Sequence, residues 1–194
     1  MIPLMPVPPG ERGHYLRWVV TVASVIVAWG MMHNQYLIRI EPRHFTVFHP
    51  RWLPLTDLTL LGMQYAFLAT VGPAGLYGIL SYFAARHGRL PKLSLRHVLL
   101  HVMVMIAAIE AMCLLMWWAT ATWYDAHQQP LILPAAWFPE VSRGIVITQT
   151  INLYAYAASF ALGPANLVLI YRRRAMAKTA SGRPVGDDAG IADQ

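Results

Sequence analysis

HVLLHVMVMIAAIEAMCLLMWWATAT, residues His97 to Thr122, decides the fold class. It holds no lysine, no arginine and no proline, and a single carboxylate, Glu110. A bilayer's hydrocarbon core is about 30 Å thick and takes roughly 20 residues of helix to cross. This stretch exceeds that length with room for tilt. With no water in that layer, an isolated segment keeps its backbone groups bonded only as a helix.

Three more apolar stretches flank it. The first runs from Leu16 to Met32, with WVVTVASVIVAWGMM at its heart. The second runs from Leu58 to Ala85 and the fourth from Gly144 to Tyr171. The expectation is therefore all-α: a transmembrane bundle of four helices over about 16–32, 58–85, 97–122 and 144–171. These form one domain over residues 1–178. The Gly/Ala/Asp-rich composition of residues 179–194 predicts a disordered tail. The first stretch is the shortest, and its basic flank is similar to that of a secretory signal. No A-x-A cleavage site follows it, which predicts a retained helix.

Composition agrees. The chain has 194 residues, of which 57% are hydrophobic and 12% charged, and its mean hydropathy is +0.43. Soluble domains carry about 25% charged residues. Disorder, a disulfide scaffold and a collagen-like fibre are excluded. The formal charge of +6 would suggest nucleic acid for a soluble domain. Here the basic residues gather at the ends of apolar runs, so lipid head groups are the expected counterpart and nucleic acid is not. Cys113, the only cysteine, lies inside an apolar run and reads as a structural thiol.

Orientation follows from where the cations fall. With the N-terminus cytoplasmic, the cytoplasmic side holds 11 of the 15 Lys and Arg residues and the opposite side 4 (Arg39, Arg43, Arg51 and Arg143). The positive-inside rule then predicts both termini in the cytoplasm, with Arg172 to Arg174 as a stop signal. A bacterial inner membrane is the expected location. Asp57 and Ser94 stand where caps of the second and third helices belong. Pro139 suits the first turn of the fourth. Pro73 and Pro164 fall inside the second and fourth helices and predict kinks. Pro91-Lys92-Leu93-Ser94 reads as a tight turn, making the second and third helices antiparallel neighbours. Between the first two helices, YLIRIEPRHFTVF (Tyr36 to Phe48) alternates apolar and polar residues around Glu41-Pro42-Arg43. That pattern predicts a small extended or hairpin-like extracytoplasmic loop.

Glu110 is the first candidate for chemistry. A charge near the middle of a spanning helix costs about 2.5–3.5 kcal/mol on insertion scales. The functional reading is a proton relay, an ion site or a ligand anchor. The structural reading is a protonated carboxyl bonded to a neighbouring helix through Gln149, Asn152 or Tyr154. His97 and His101, four apart at the start of the third helix, share a face. With Glu110 they are the candidate cofactor contacts, for a haem face or a chlorophyll-type magnesium. The structural alternative is interfacial histidines meeting lipid phosphates. Helices two and four contain no histidine, so ordinary bis-histidine haem ligation is disfavoured. His33, His44 and His49, in or beside the first outside loop, are candidate copper or zinc ligands, although their spacing matches no metal signature. Gly62, Gly72, Gly75 and Gly78 in the second helix are candidate packing positions, where small residues let helices approach closely. Nucleotide-binding, hydrolase, zinc-protease and C-x-x-C motifs are absent.

The run His44 to Ser94 resembles a set of small bacterial four-helix membrane proteins of unassigned function. The matching segments are I-x-P-x-x-F-T-x-x-H-P (Ile40 to Pro50), T-D-x-T-L-L (Thr56 to Leu61) and A-A-R-x-G-x-x-P-K-L-S (Ala84 to Ser94). The resemblance implies the four-helix fold and supplies no activity, cofactor or catalytic residue. It implies no acidic residue where Glu110 stands. Taken together, these features predict a non-catalytic accessory or scaffold subunit of a larger membrane assembly, with lipids and other integral-membrane subunits as partners. One alternative is a redox- or pigment-associated subunit (haem, chlorophyll-type or quinone) of a respiratory or photosynthetic complex. The other is a small proton- or ion-coupled carrier using Glu110.

Overall fold

The computed structural model describes residues 7–50 and 52–181. Its elements are α1 (Arg12–Ile40), a one-turn α2 (Pro42–Thr46), α3 (Leu58–Arg86), α4 (Leu95–His127) and α5 (Arg143–Ser181). Short 3-10 turns stand at Pro9–Glu11 and Ala135–Trp137. The four long helices are long and apolar enough to cross a membrane, and the chain is a multi-pass membrane protein. α5 continues past residue 178 to Ser181. The rest of the expected tail, 182–194, lies outside the described residues.

α1 packs along α3, and α4 along α5. α3 also meets α5, and α1 meets α4 and α5. The expected pairing of the second and third long helices does not form: α3 and α4 are not among the packed pairs, although a short turn joins them. An arginine from α5 fills that turn. Arg174 is 0% exposed and sits inside that turn. It donates to the carbonyls of Ala84, His87, Leu90 and Pro91 at 2.8–3.0 Å. The final carbonyls of a helix have no partner within it. Here Phe83 accepts from the His87 N–H, Ala85 from Leu93 and Ala84 from Arg174. A cation at the negative end of the helix dipole is favourable besides. At the same end Glu11, just before α1, pairs with Lys92 and Arg86 and accepts from the Tyr82 hydroxyl at 2.7 Å.

The α1–α3 seam is built on a four-residue ladder in α3: Gly62, Ala66, Thr70, Ala74 and Gly78. A Cβ on Gly78 would lie 3.0 Å from the Val19 carbonyl oxygen, and one on Gly62 would lie 3.3 Å from Gln35. From the α1 side, a Cβ on Gly30 would lie 2.9 Å from Thr70. Small residues spaced by four bring backbones together in this way. Gly72 and Gly75, expected on the same face, have nothing within 4 Å of a Cβ position. They flank Pro73 on another face of the helix.

The hairpin-like loop expected at Tyr36 to Phe48 is a helix end followed by a helical turn, and no strand occurs among the described residues. In α1 the buried positions Gly30, His33, Asn34, Leu37 and Ile38 follow helical spacing. Glu41 then breaks the helix, and its side chain accepts the Arg43 N–H at 3.1 Å. Pro42 at the first position of α2 needs no donor. Asp57 caps α3 through the Leu60 N–H. Ser94 sits at the start of α4 but bonds His97 rather than a backbone N–H. Pro139 precedes α5 instead of lying in its first turn. Pro73 and Pro164 do lie inside α3 and α5.

Candidate functional site

The two extra turns of α1 create the site. Trp29, His33 and Tyr36 follow i, i+4, i+7 spacing and share a face, turned toward Glu110 of α4. Trp29 Nε1 donates to Glu110 Oε2 at 2.9 Å, and the Tyr36 hydroxyl donates to Oε1 at 2.9 Å. His33 Nδ1 lies 2.9 Å from Oε2 and 2.9 Å from the Tyr36 oxygen. Tyr36 stacks on Trp117, one heptad along α4 from Glu110, with centroids 6.3 Å apart. The intramembrane carboxyl is thus satisfied by three ring groups of α1. Gln149, Asn152 and Tyr154, the expected partners, do not bond it.

On the opposite edge of the imidazole, His33 Nε2 is buried and has no hydrogen-bond partner. The residue is 5% exposed and lines a cleft of about 730 Å³ where α1, α3, α4 and α5 meet. The walls are apolar, with Tyr77, Thr70 and Asn152 as scattered polar groups. Pro73 and Pro164 both border it. Each removes one backbone donor from its helix, and the two lie on facing helices beside the cleft. Below the cleft, Asn166 Nδ2 bridges the Tyr77 hydroxyl (2.9 Å) and the His101 carbonyl (3.2 Å), tying three helices at one level.

The other candidate ligands fall elsewhere. His101 lies nine residues before Glu110 on α4, about 13 Å along the axis. Its Nε2 is 3.3 Å from Arg173 Nη1, and His97 Nδ1 is 2.8 Å from Ser94 Oγ. His97, His101 and Glu110 are therefore not one site. His97 instead borders a groove of about 580 Å³ with Arg96, Arg173 and Leu100. His33 is separated from His44 and His49, whose rings lie together with centroids 4.5 Å apart. Among the described residues no three His, Cys, Asp or Glu side chains come together to hold a metal. Cys113 is buried beside the upper core.

At the α2 end, Arg43 joins Glu41 (3.0 Å), Glu140 (3.1 Å) and Ser142 (3.4 Å). That hydrogen bonding holds the Glu41 carboxyl below its usual range and raises Arg43. A Cβ on Gly144, at the start of α5, would lie 2.6 Å from Glu41 Oε2. A larger residue there would have to displace the Glu41 side chain from its place beside Arg43. His44 is 2% exposed with both ring nitrogens unbonded. Burial, helped by His49, lowers its imidazole to about 4.

Fold and site together define a multi-pass membrane protein with a histidine, itself paired to the Glu110 carboxylate, at the wall of a cleft among the four long helices. No family model, curated protein or solved structure matches the chain.

Proposed function

We propose that the protein is a non-catalytic subunit of a larger bacterial inner-membrane assembly that holds a lipophilic cofactor or substrate, of the redox or pigment class, in its central cleft. The observation that carries this reading is His33, which lines the cleft and whose Nε2 is buried with no hydrogen-bond partner. Buried polar groups are bonded as a rule, and an unbonded one costs about 1–3 kcal/mol. A bound molecule meeting that nitrogen removes the cost. Glu110 and Tyr36 fix the ring from behind, as an outer carboxylate does for a ligand-bearing histidine. Both termini face the cytoplasm in this reading, supported by the 11 to 4 distribution of cations.

Purification in native-membrane discs without detergent tests it. The expected result is one lipophilic compound retained in near-stoichiometric amount by the wild type and lost in His33→Ala, together with a co-purifying membrane protein. A compound content identical to the bulk membrane in both proteins overturns ligand holding. A lone monomer in native discs overturns the subunit assignment. The absorption spectrum of the same sample separates a haem or chlorophyll-type pigment from a colourless ligand.

A further inference from the structure

We infer that a second site, the groove where α4 begins and α5 nears its end, binds the phosphate of an anionic phospholipid. It shares no lining residue with the central cleft and stands whether or not that cleft holds a ligand. Arg96, Leu99, Leu100 and Met103 follow i, i+3, i+4, i+7 spacing and form one face of α4. Arg173 of α5 and His97 complete the groove, whose volume is about 580 Å³. Its two ends differ. The basic side chains lie at the end of the bundle, and Met103 lies seven residues beyond Arg96, about 10 Å along the helix. Leu100 is 59% exposed and Met103 52% exposed, so the apolar end opens on the hydrocarbon layer.

The charges call for an anion. The ion pairs among the described residues take up Arg43, Arg86, Lys92 and Arg143, but neither Arg96 nor Arg173. Arg173 donates from Nη1 to His101 Nε2 at 3.3 Å, which leaves the rest of a five-donor guanidinium free. Glu11, the carboxylate that the described residues place at this end, is already held by Lys92, Arg86 and the Tyr82 hydroxyl. Arg96 also stands in the first turn of α4, at the positive end of the helix dipole, where a cation is disfavoured. Two guanidinium groups in one groove repel each other, although α4 and α5 pack along one another. A phosphate between them replaces that repulsion with charge-assisted hydrogen bonds, for which arginine is well shaped.

The apolar wall selects the source of the phosphate. A soluble phosphate leaves Leu99, Leu100 and Met103 uncovered, whereas a phospholipid lays an acyl chain along them. Basic pockets between membrane helices take anionic head groups in this way. A choline or ethanolamine head group brings its own ammonium beside the two arginines, and a glycerol head group does not.

The test uses the full-length protein in vesicles of equal parts phosphatidylglycerol and phosphatidylcholine. It is extracted into mild detergent at physiological salt, and retained lipid is read by native mass spectrometry. The wild type retains phosphatidylglycerol about tenfold over phosphatidylcholine, the worth of one hydrogen bond to a charged group. Arg96→Gln and Arg173→Gln each remove the preference. Arg172→Gln deletes the same charge from the adjacent position, which lines no part of the groove, and keeps it. All three arginines are exposed, so the fold is not at stake. Equal loss from Arg172→Gln and Arg173→Gln means a diffuse belt of cations and overturns the site. Met103→Trp fills the apolar end without touching a charge and lowers phosphatidylglycerol retention. Unchanged retention in that variant, or displacement of the lipid by inorganic phosphate, assigns the groove to a soluble phosphate and overturns the lipid. A preference that appears only when Asp187→Asn and Asp188→Asn are combined assigns the groove to the chain's own acidic residues and overturns it as well.

Discussion

α3 shows two faces of opposite character. Toward α1 it presents Gly62 and Gly78, where the helices approach closely, with Ala66, Thr70 and Ala74 between them also bordering the cleft. Toward α5 it presents Ala69, Pro73, Tyr77 and Leu80, and the helices stand apart around the cleft. Both faces carry small residues. What separates them is spacing and a proline. A strict interval of four keeps every small side chain on one line, so a neighbouring helix can lie along it. Pro73, matched by Pro164 on α5, stands on the other face, at the cleft. α5 is held to α3 by polar pins at the lower end, the Asn166–Tyr77 bond and the Arg174 cluster, rather than by continuous packing. Small residues in a membrane helix thus produce a seam or a cavity according to register.

This contrast can be broken in order of size. Arg174→Met strips four carbonyls of their donor and removes the lower pin. It should cost about 3–5 kcal/mol, as removing one partner from a buried charged cluster does. Spin-label distances should widen between α3 and α5 while the α1–α3 distance holds. A uniform loosening of all pairs would show that the two faces are not independent. Gly78→Leu forces a side chain into the Val19 backbone and should cost about 3 kcal/mol, read as a lower midpoint in denaturant titration. A midpoint within error of wild type would mean that the seam is not close-packed.

Acid probes the α2 end, which caps α3 above both faces. The His44 imidazole titrates at about 4 when folded and near 6.5 when unfolded. The unfolded chain therefore takes up the proton first, and stability falls as pH drops from about 6.5 towards 4. By pH 5 the loss is about 2 kcal/mol, and His44→Phe should remove that slope. An unchanged slope would mean that the ring is reached by solvent. Glu41, held below its ordinary range, contributes stability above that range and loses it only at lower pH. The smallest effect sharpens the comparison from the open side. Gly75→Ala meets open space, gains helix propensity, and should shift stability by no more than about 1 kcal/mol, in the favourable direction. Substantial destabilisation would place Gly75 on a packed face.

The four long helices were legible because hydrocarbon thickness sets a length that few other folds demand. The length of α1 was not. His33 and Asn34 interrupt its apolar run, and the alternation of Tyr36, Ile38 and Ile40 imitates a strand over a window too short to separate periods of two and 3.6. The buried set at 30, 33, 34, 37 and 38 carried the helical signal, but two of its members are polar. That one boundary hid the site. Glu110 stood out by charge, yet two of its three partners, His33 and Tyr36, lie beyond the expected end of the first helix, so the candidates fell on α5 instead. Of the four glycines read as packing positions, Gly62 and Gly78 meet α1, whereas Gly72 and Gly75 meet nothing, and the sequence did not name the partner helix. The burial of Arg174 in the turn between α3 and α4 was not legible, because by position alone it reads as one more basic residue beyond the membrane.

Arg174 also sets an order of events. The carbonyls it quenches belong to the end of the second span and the turn after it, while the guanidinium belongs to the last span. Until the ribosome has released that last span, a nascent chain keeps those oxygens open at the membrane boundary. An intermediate lacking the segment therefore leaves those carbonyls without their donor at one defined corner of the bundle.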